Sequence, residues 1–457
     1  MLKYNYSPPD EIKNKYHLTW ETECFKYLGV IIPNDLTELL QHNYSPIQKK
    51  IKEDMARWNL IPYLSFSSRI DSIKMNVLPK LLYIFQTLPI EISQKQFNEW
   101  DKILSRYIWQ AKKPRIRFKT LQLTKEKGGW GLPSLRDYYW AAQLRPMLCW
   151  CNPLYDAQWK NIEEGLTSIP IQALIADSNL PDLIKKIENP WINLTFKIWK
   201  TVITEYRLEE DIGILIWCAY DTQFAPNKLD TRFKEWTNKG LTALCKVTKE
   251  NTLFSFEMMK EKYALETQDF YRYLQLRHFV NDKLKNISES SRQLLDLFKR
   301  AYGSNKGRGI ISGLYKGLIN KKSHSSLYIK TKWEMEGRID LTEEEWVTIW
   351  EHQWKCSSSQ TWKEFGWKCL IRYFITPYQK SHTKNNSPAC WRNCGNTNAN
   401  HYHILWECRL LKHIGREYTR HYRTYLGVTC LWKVRFCFLD LCLKNGQEWT
   451  NICLVFC

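Results

Sequence analysis

Between Ser45 and Gln110 the apolar residues recur at helical spacing in three successive stripes. That recurrence commits the chain to a helical core more firmly than any other feature. Ile47, Ile51, Met55 and Trp58 form the first stripe, with Lys49, Lys50, Lys52 and Glu53 between them. Ile70, Ile73, Val77, Leu81, Ile84 and Leu88 form the second, and Phe97, Trp100, Leu104, Tyr107 and Ile108 the third. Such stripes are core faces before they are binding sites. Ser45 with Pro46 behind it predicts the start of the first helix. Pro79 predicts a kink or a split in the second. Upstream, Phe25 to Ile32 mixes aromatic and β-branched residues and runs into Pro33-Asn34, which reads as a strand closed by a turn. Gly29 within it predicts a bulge or a close backbone approach.

The composition shifts after the third stripe. Ala111 to Lys127 carries Lys112, Lys113, Arg115, Arg117, Lys119, Lys125 and Lys127 against a single acid, Glu126. Pro114, Gly128 and Gly129 predict that much of it is loop. Taken alone, such a stretch is as readily a solvated surface as a binding element. The whole chain is basic as well. Its 67 Lys and Arg against 47 Asp and Glu leave a formal charge of +20, which points to a polyanionic partner, most simply nucleic acid. An anionic membrane surface is the rival, and nothing in the sequence supports it; separately, no run of about 18 apolar residues exists, so no membrane span is read. The first residues lack the apolar core of a signal peptide. Fifteen cysteines are therefore expected as thiols and metal ligands in a reducing compartment, nucleus or cytoplasm, and not as secreted disulfides. No pattern calls for a small-molecule substrate.

Ten of the fifteen cysteines lie at Cys356 or later, and four residues there have ligand spacing. Cys390, Cys394, His403 and Cys408 read C-x3-C-x8-H-x4-C. Zinc takes four soft or borderline ligands in a tetrahedron, and a closed Cys3His set leaves no position for a substrate, so the expected role is structural. Gly395 suits the tight turn of such a knuckle, and His401, two residues before His403, is the alternative ligand. Arg409, Lys412, Arg416, Arg420 and Arg423 follow at spacings of 3, 4, 4 and 3. On a helix they share an arc of about 80°. Leu410, Leu411, Ile414, Tyr418, Tyr422 and Tyr425 take the other side. A solvated face is the common meaning of such a ridge. Five cations beside one acid, Glu417, favour phosphate contact instead. Trp391 and Trp406 are placed to stack on unpaired bases or to pack.

The remaining stretches carry less chemistry. Pro181 to Asn189 and Trp191 to Tyr206 have helical spacing. Asp211 to Tyr220 is an apolar run that period cannot divide between helix and buried strand. Phe254 to Leu284 predicts a helix with Phe270, Tyr273, Leu274, Val280 and Leu284 on one side; His278 there is a core or surface histidine. Lys299 to Lys332 holds nine cations, no acid and five glycines, and predicts a flexible basic linker. Thr342 with Glu345 forms a capping box, and Trp362 to Tyr378 predicts an aromatic helix stopping near Pro377. Residues 431–457 are cysteine-rich and aperiodic.

The order of these pieces resembles the region just after the polymerase active site in the reverse transcriptases of long interspersed elements, the non-LTR retrotransposons. The Lys26-Tyr27-Leu28-Gly29 turn looks like the hairpin called the primer grip in these enzymes. The Ser45–Gln110 helices look like the thumb that clamps the template–primer duplex, and beside a thumb the basic loop from Ala111 to Lys127 is expected to contact phosphates. The block Gly128-Gly129-Trp130-Gly131-Leu132-Pro133 resembles the segment that ends that module, and Arg272 to Phe279 resembles a recurrent feature further on. The Cys390–Cys408 spacing is similar to the Cys–His motif near the C-terminus of these enzymes, with a slightly long central gap. Its H-x4-C half matches retroviral zinc knuckles; its C-x3-C half does not. The resemblance implies a mainly α-helical chain with minor β structure near the N-terminus. A primer-grip strand and thumb-like helices would fill residues 1–150 and a helical connector 151–298. The linker at 299–332 would precede a helical module at 333–430 bearing the zinc knuckle, leaving 431–457 unassigned. It implies RNA or an RNA–DNA duplex as ligand, and other retrotransposon proteins as further partners. The parent enzymes hold their catalytic metal ions on an adjacent aspartate pair, and no such pair occurs in the 457 residues. A nucleic-acid-binding fragment without polymerase activity is therefore expected. The alternatives are one portion of an active RNA-directed DNA polymerase whose palm is encoded upstream, and an inert remnant of a decayed element.

Overall fold

The computed structural model describes residues 9–16, 23–167, 171–176, 189–208, 211–221, 223–249, 252–285, 289–302, 309–321, 326–355, 358–383 and 386–411. The chain is mainly helical, with two small antiparallel sheets, Cys24–Tyr27 with Val30–Pro33 and Thr248–Lys249 with Thr252–Leu253. Among the described residues no helix is long and apolar enough to cross a membrane. Two compact units share the chain, each drawn from three separate segments: 1–50, 78–97 and 134–323 in the first, and 51–77, 98–133 and 324–457 in the second.

The first unit is centred on the helix Leu135–Cys151. Thirteen of its seventeen residues are buried, so it is a helix enclosed on all sides and not an amphipathic surface element. The helices Leu78–Thr87, Pro190–Tyr206, Glu289–Tyr302 and Ile310–Lys321 pack around it. Its polar groups are matched inside. Tyr139 donates to the Ile90 carbonyl at 2.7 Å, Gln143 donates to Phe85 at 2.6 Å and Leu88 at 3.0 Å, and the Gln143 carbonyl accepts from Thr195 at 3.0 Å. Tyr315 stacks on Tyr138 at 3.7 Å and accepts from the Ser134 N–H.

Several expectations in this unit need correction. The strand expected over Phe25–Ile32 is a hairpin, because Leu28 and Gly29 both take positive φ (46° and 84°) and turn the chain back on itself. Asn43 pins it by bonding both the N–H and the carbonyl of Ile31. The first long helix does not begin at Ser45-Pro46. It runs Leu39–Asn59 with Pro46 inside it, and the start signal is Asp35, whose carboxylate accepts from the Thr37 N–H in a preceding 3-10 turn. Asp211 to Tyr220 is neither long helix nor strand but two 3-10 turns. Phe254–Leu284 is divided into helices Phe256–Tyr263 and Phe270–Lys285, and Leu276 is buried where Phe270 is exposed. His278 is exposed. Of the helical spacing expected ahead of Asn189, residues 181–188 lie outside the described residues.

The tract expected as a flexible linker contains the helix Ile310–Lys321, with Leu314 and Leu318 buried. Residues 303–308 and 322–325 of the tract lie outside the described residues, and the two glycines within the helix serve contact and not freedom. A Cβ on Gly313 would come within 2.9 Å of Leu297, and one on Gly317 within 3.6 Å of Leu294. Two glycines four residues apart thus let this helix lie close against Glu289–Tyr302.

The second unit joins the middle of the chain to its C-terminal third. The helix Phe66–Ser72 passes into a π turn at Ile73–Val77 before the next helix begins at Leu78. Pro79 offers no N–H to the Met75 carbonyl, which is the predicted break. Trp130 and Trp367 meet edge to face at 5.5 Å, with Phe66 against both. Trp367 donates to the Gly128 carbonyl at 2.9 Å, and Trp354 donates to that of Lys125 at 3.0 Å. The paired glycines now have a reason: a Cβ on Gly128 would lie 2.7 Å from Trp350, and one on Gly129 would lie 2.0 Å from the Leu123 carbonyl oxygen. Thr342 and Glu345 make the reciprocal bonds of the expected capping box before the helix Glu343–Lys355. The aromatic helix after it ends earlier than expected, at Leu370. Arg372 there turns left-handed (φ 60°), and Pro377 starts a helix instead of stopping one, capped by Thr376 and Gln379.

Candidate metal centre and basic surface

Two local conformations bring the ligand set together. Between Cys390 and Cys394 the chain makes a tight turn, with Asn393 donating to the Cys390 carbonyl at 3.0 Å and Cys390 donating to that of Asn396 at 2.9 Å. Gly395 sits at φ 87°, and a Cβ there would touch nothing within 4 Å, so its requirement is conformational. On the other side, His403–Glu407 is a π turn closed by the Cys408 N–H on the His403 carbonyl at 2.9 Å. Residues five apart point in different directions on an α-helix, but a π turn returns them to one side. The x4 gap between His403 and Cys408 is thereby the right length.

Cys390, Cys394, His403 and Cys408 offer ligand atoms that all lie within 4.8 Å of one another. Cys394 Sγ is 3.3 Å from His403 Nε2. In a tetrahedral zinc site a sulfur and a nitrogen ligand stand about 3.6 Å apart and two sulfurs about 3.8 Å, from bonds of roughly 2.3 and 2.05 Å. The set therefore fits a metal ion in geometry and in donor chemistry. Cys390, His403 and Cys408 are buried and Cys394 is half-buried. Burial and the adjoining thiols push Cys390 above the ordinary thiol range. Burial also opposes ionisation of Cys394, but the Asn396 N–H and the Cys390 and Cys408 thiols donate to its sulfur and hold it below that range. Burial, with Arg392 nearby, holds His403 below the usual imidazole value, in the neutral form a metal requires.

His401 is not part of this set. Its Nε2 donates to the Phe374 carbonyl at 2.8 Å, and its ring meets Trp333 edge-on at 6.3 Å. Burial pushes its pKa down to about 4. It anchors the knuckle to the helices beside it, as do Tyr402 N–H on Glu336 and Tyr378 N–H on Ala399.

The basic stretch is largely the expected loop, interrupted by the short helix Phe118–Gln122 and a 3-10 turn at Lys125–Lys127. Lys112, Lys113, Arg115, Arg117, Lys119 and Lys125 are exposed and Lys127 is partly so. Among the described residues none of the seven forms an ion pair with a carboxylate, whereas cations elsewhere, such as Arg136 with Glu205 and Arg372 with Glu336, do. Three of the seven rest on rings that no local pattern connects with them: Arg115 on Tyr373 at 4.7 Å, Arg117 on Tyr328 at 6.0 Å and Lys125 on Trp354 at 4.9 Å. Arg409 is exposed one residue after Cys408. The rest of the expected ridge, Lys412, Arg416, Arg420 and Arg423, lies outside the described residues, as do 431–457. Trp391 is exposed, with Arg392 at 5.9 Å from its ring, and Trp406 is partly buried. No protein-family model matches the chain.

Proposed function

We propose that this chain is a sequence-independent nucleic-acid-binding fragment, derived from the thumb and C-terminal segment of a non-LTR retrotransposon reverse transcriptase. The observation that carries the reading is the run of seven cations from Lys112 to Lys127, exposed wholly or in part and without carboxylate partners among the described residues. Uncompensated surface charge of this density releases counterions when it meets a phosphate backbone. RNA or an RNA–DNA duplex is the ligand class, and the contacts fix position without reading bases. The metal held by Cys390, Cys394, His403 and Cys408 is zinc, the ion that three thiolates and an imidazole select, and its role is structural.

Each phosphate contact on a single strand contributes roughly 0.7 to the slope of log affinity against log salt. Replacing Lys112 and Lys113 together by Gln is therefore expected to lower that slope by about 1.4, and to weaken binding equally for unrelated sequences. A salt titration of both proteins against two unrelated RNA strands checks this; an unchanged slope would leave the loop a solvated surface.

The adjacent aspartate pair that holds the catalytic metal ions of the parent enzymes is absent from the sequence, so the chain by itself is expected not to polymerise. Primer extension on an RNA template with Mg²⁺ or Mn²⁺ is expected to match a heat-killed control. Incorporation above that control contradicts the assignment.

A further inference from the structure

Arg115 and Arg117, like Lys125 on Trp354, lie over aromatic rings, but a guanidinium, unlike an ammonium, presents a flat face of its own. Ile116 between them is buried and anchors the loop. The two guanidinium groups emerge on either side of it onto aromatic rings contributed by a distant part of the same unit, Tyr373 and Tyr328. Tyr373 in turn lies parallel to Trp109, with ring centroids 6.2 Å apart and planes 6° from parallel. Exposure rises along this series: Trp109 is buried, Tyr373 partly exposed and Arg115 exposed. Beside it, Tyr328 is 45% exposed. Neither guanidinium has a carboxylate partner among the described residues.

A guanidinium is planar and weakly hydrated, so the face turned away from a ring is itself a stacking surface. Phosphate contact needs no ring beneath the cation, and a lysine makes it as a point charge. From these observations we infer that Arg115 with Tyr373 and Arg117 with Tyr328 form two stacking platforms for the unpaired bases of a single-stranded nucleic acid. Bases inside a duplex are already covered on both faces, whereas splayed bases of a single strand are free to lie on a ring or a guanidinium plane. The inference rests on the nucleic-acid reading above and narrows its ligand to a single strand held by base stacking as well as by charge.

The test compares an oligouridylate with an abasic strand of the same length and phosphate count. The unaltered protein is expected to bind the base-bearing strand at least about 5-fold more tightly. Arg115→Lys, which keeps the charge, and Tyr328→Leu, at an exposed position where folding is not at stake, are each expected to lose about 5-fold on that strand. Neither should lose affinity for the abasic strand or change the salt slope. Equal affinity for the two strands, or full affinity in both variants, overturns the inference while leaving charge-driven binding intact. Failure to bind either strand overturns the broader reading as well. Competition by polyglutamate as strong as that by the oligouridylate would instead mark a face for an acidic protein, and also overturns it.

Discussion

Chelation of the metal proposed at Cys390, Cys394, His403 and Cys408 is expected to unfold residues 386–411 as a unit while leaving the packed helices of both units in place. The apolar core beneath this segment consists of Cys390, Ala399, Ile404 and Cys408, with Cys394 and Leu411 against it. Three of those six residues belong to the candidate ligand set, so without the ion chiefly the anchors at Ala399, His401 and Tyr402 remain to offset the entropy of ordering the segment. Structural zinc contributes on the order of 10–16 kcal/mol in small sites, more than any other single interaction available here. Amide hydrogen exchange with and without chelator, alongside metal analysis, reads the effect. Protection should vanish at Asn393, Ile404 and Cys408 and persist in Leu135–Cys151. Cys394→Ser and His403→Ala should each lose the metal, and His401→Ala should keep it. If His401→Ala releases the ion while His403→Ala retains it, the ligand assignment is wrong.

Trp367→Ala is the second large effect. The side chain is fully buried, packs on Phe66 and Trp130, and donates to the Gly128 carbonyl. Truncation leaves a cavity and an unpaired acceptor, at a cost of about 3–5 kcal/mol. Because the Gly128 partner lies 239 residues away in sequence, the loss of protection should extend to residues 121–132 and not stop at Gln360–Leu370. A loss confined to the latter helix would mean that the Gly-Gly-Trp block and the C-terminal helices do not stabilise each other.

Local signals in this sequence proved legible where one interaction decides the conformation. The Thr342–Glu345 cap, the break ahead of Pro79 and the gathering of Cys390, Cys394, His403 and Cys408 are each set by a few neighbours, and their spacing reports them. The apolar stripes likewise give the helical class, since Ile70, Leu81, Leu104 and their companions are buried as the period requires. What failed were inferences from composition. Gly313 and Gly317 in a basic tract look like flexibility, and only the Leu297 and Leu294 side chains opposite them reveal close packing. Pro46 looks like a helix start, yet a long helix with a buried stripe absorbs it. The pairings of Gly128 with Trp367, Arg115 with Tyr373 and Arg117 with Tyr328 join residues far apart in the chain. No local pattern encodes such a pairing, and so neither the second unit nor the rings beneath the basic loop could be read in advance.

The central claim is that this chain binds nucleic acid through charge that is indifferent to sequence. Its most direct test is the affinity of the purified, metal-loaded protein for two single-stranded RNAs of equal length and unrelated sequence, each measured across a range of salt concentrations. The account predicts affinities within about twofold of each other at every salt concentration, falling along one steep common slope worth several phosphate contacts. No binding at low salt, or an affinity for one strand that survives high salt while the other is not bound, would contradict it.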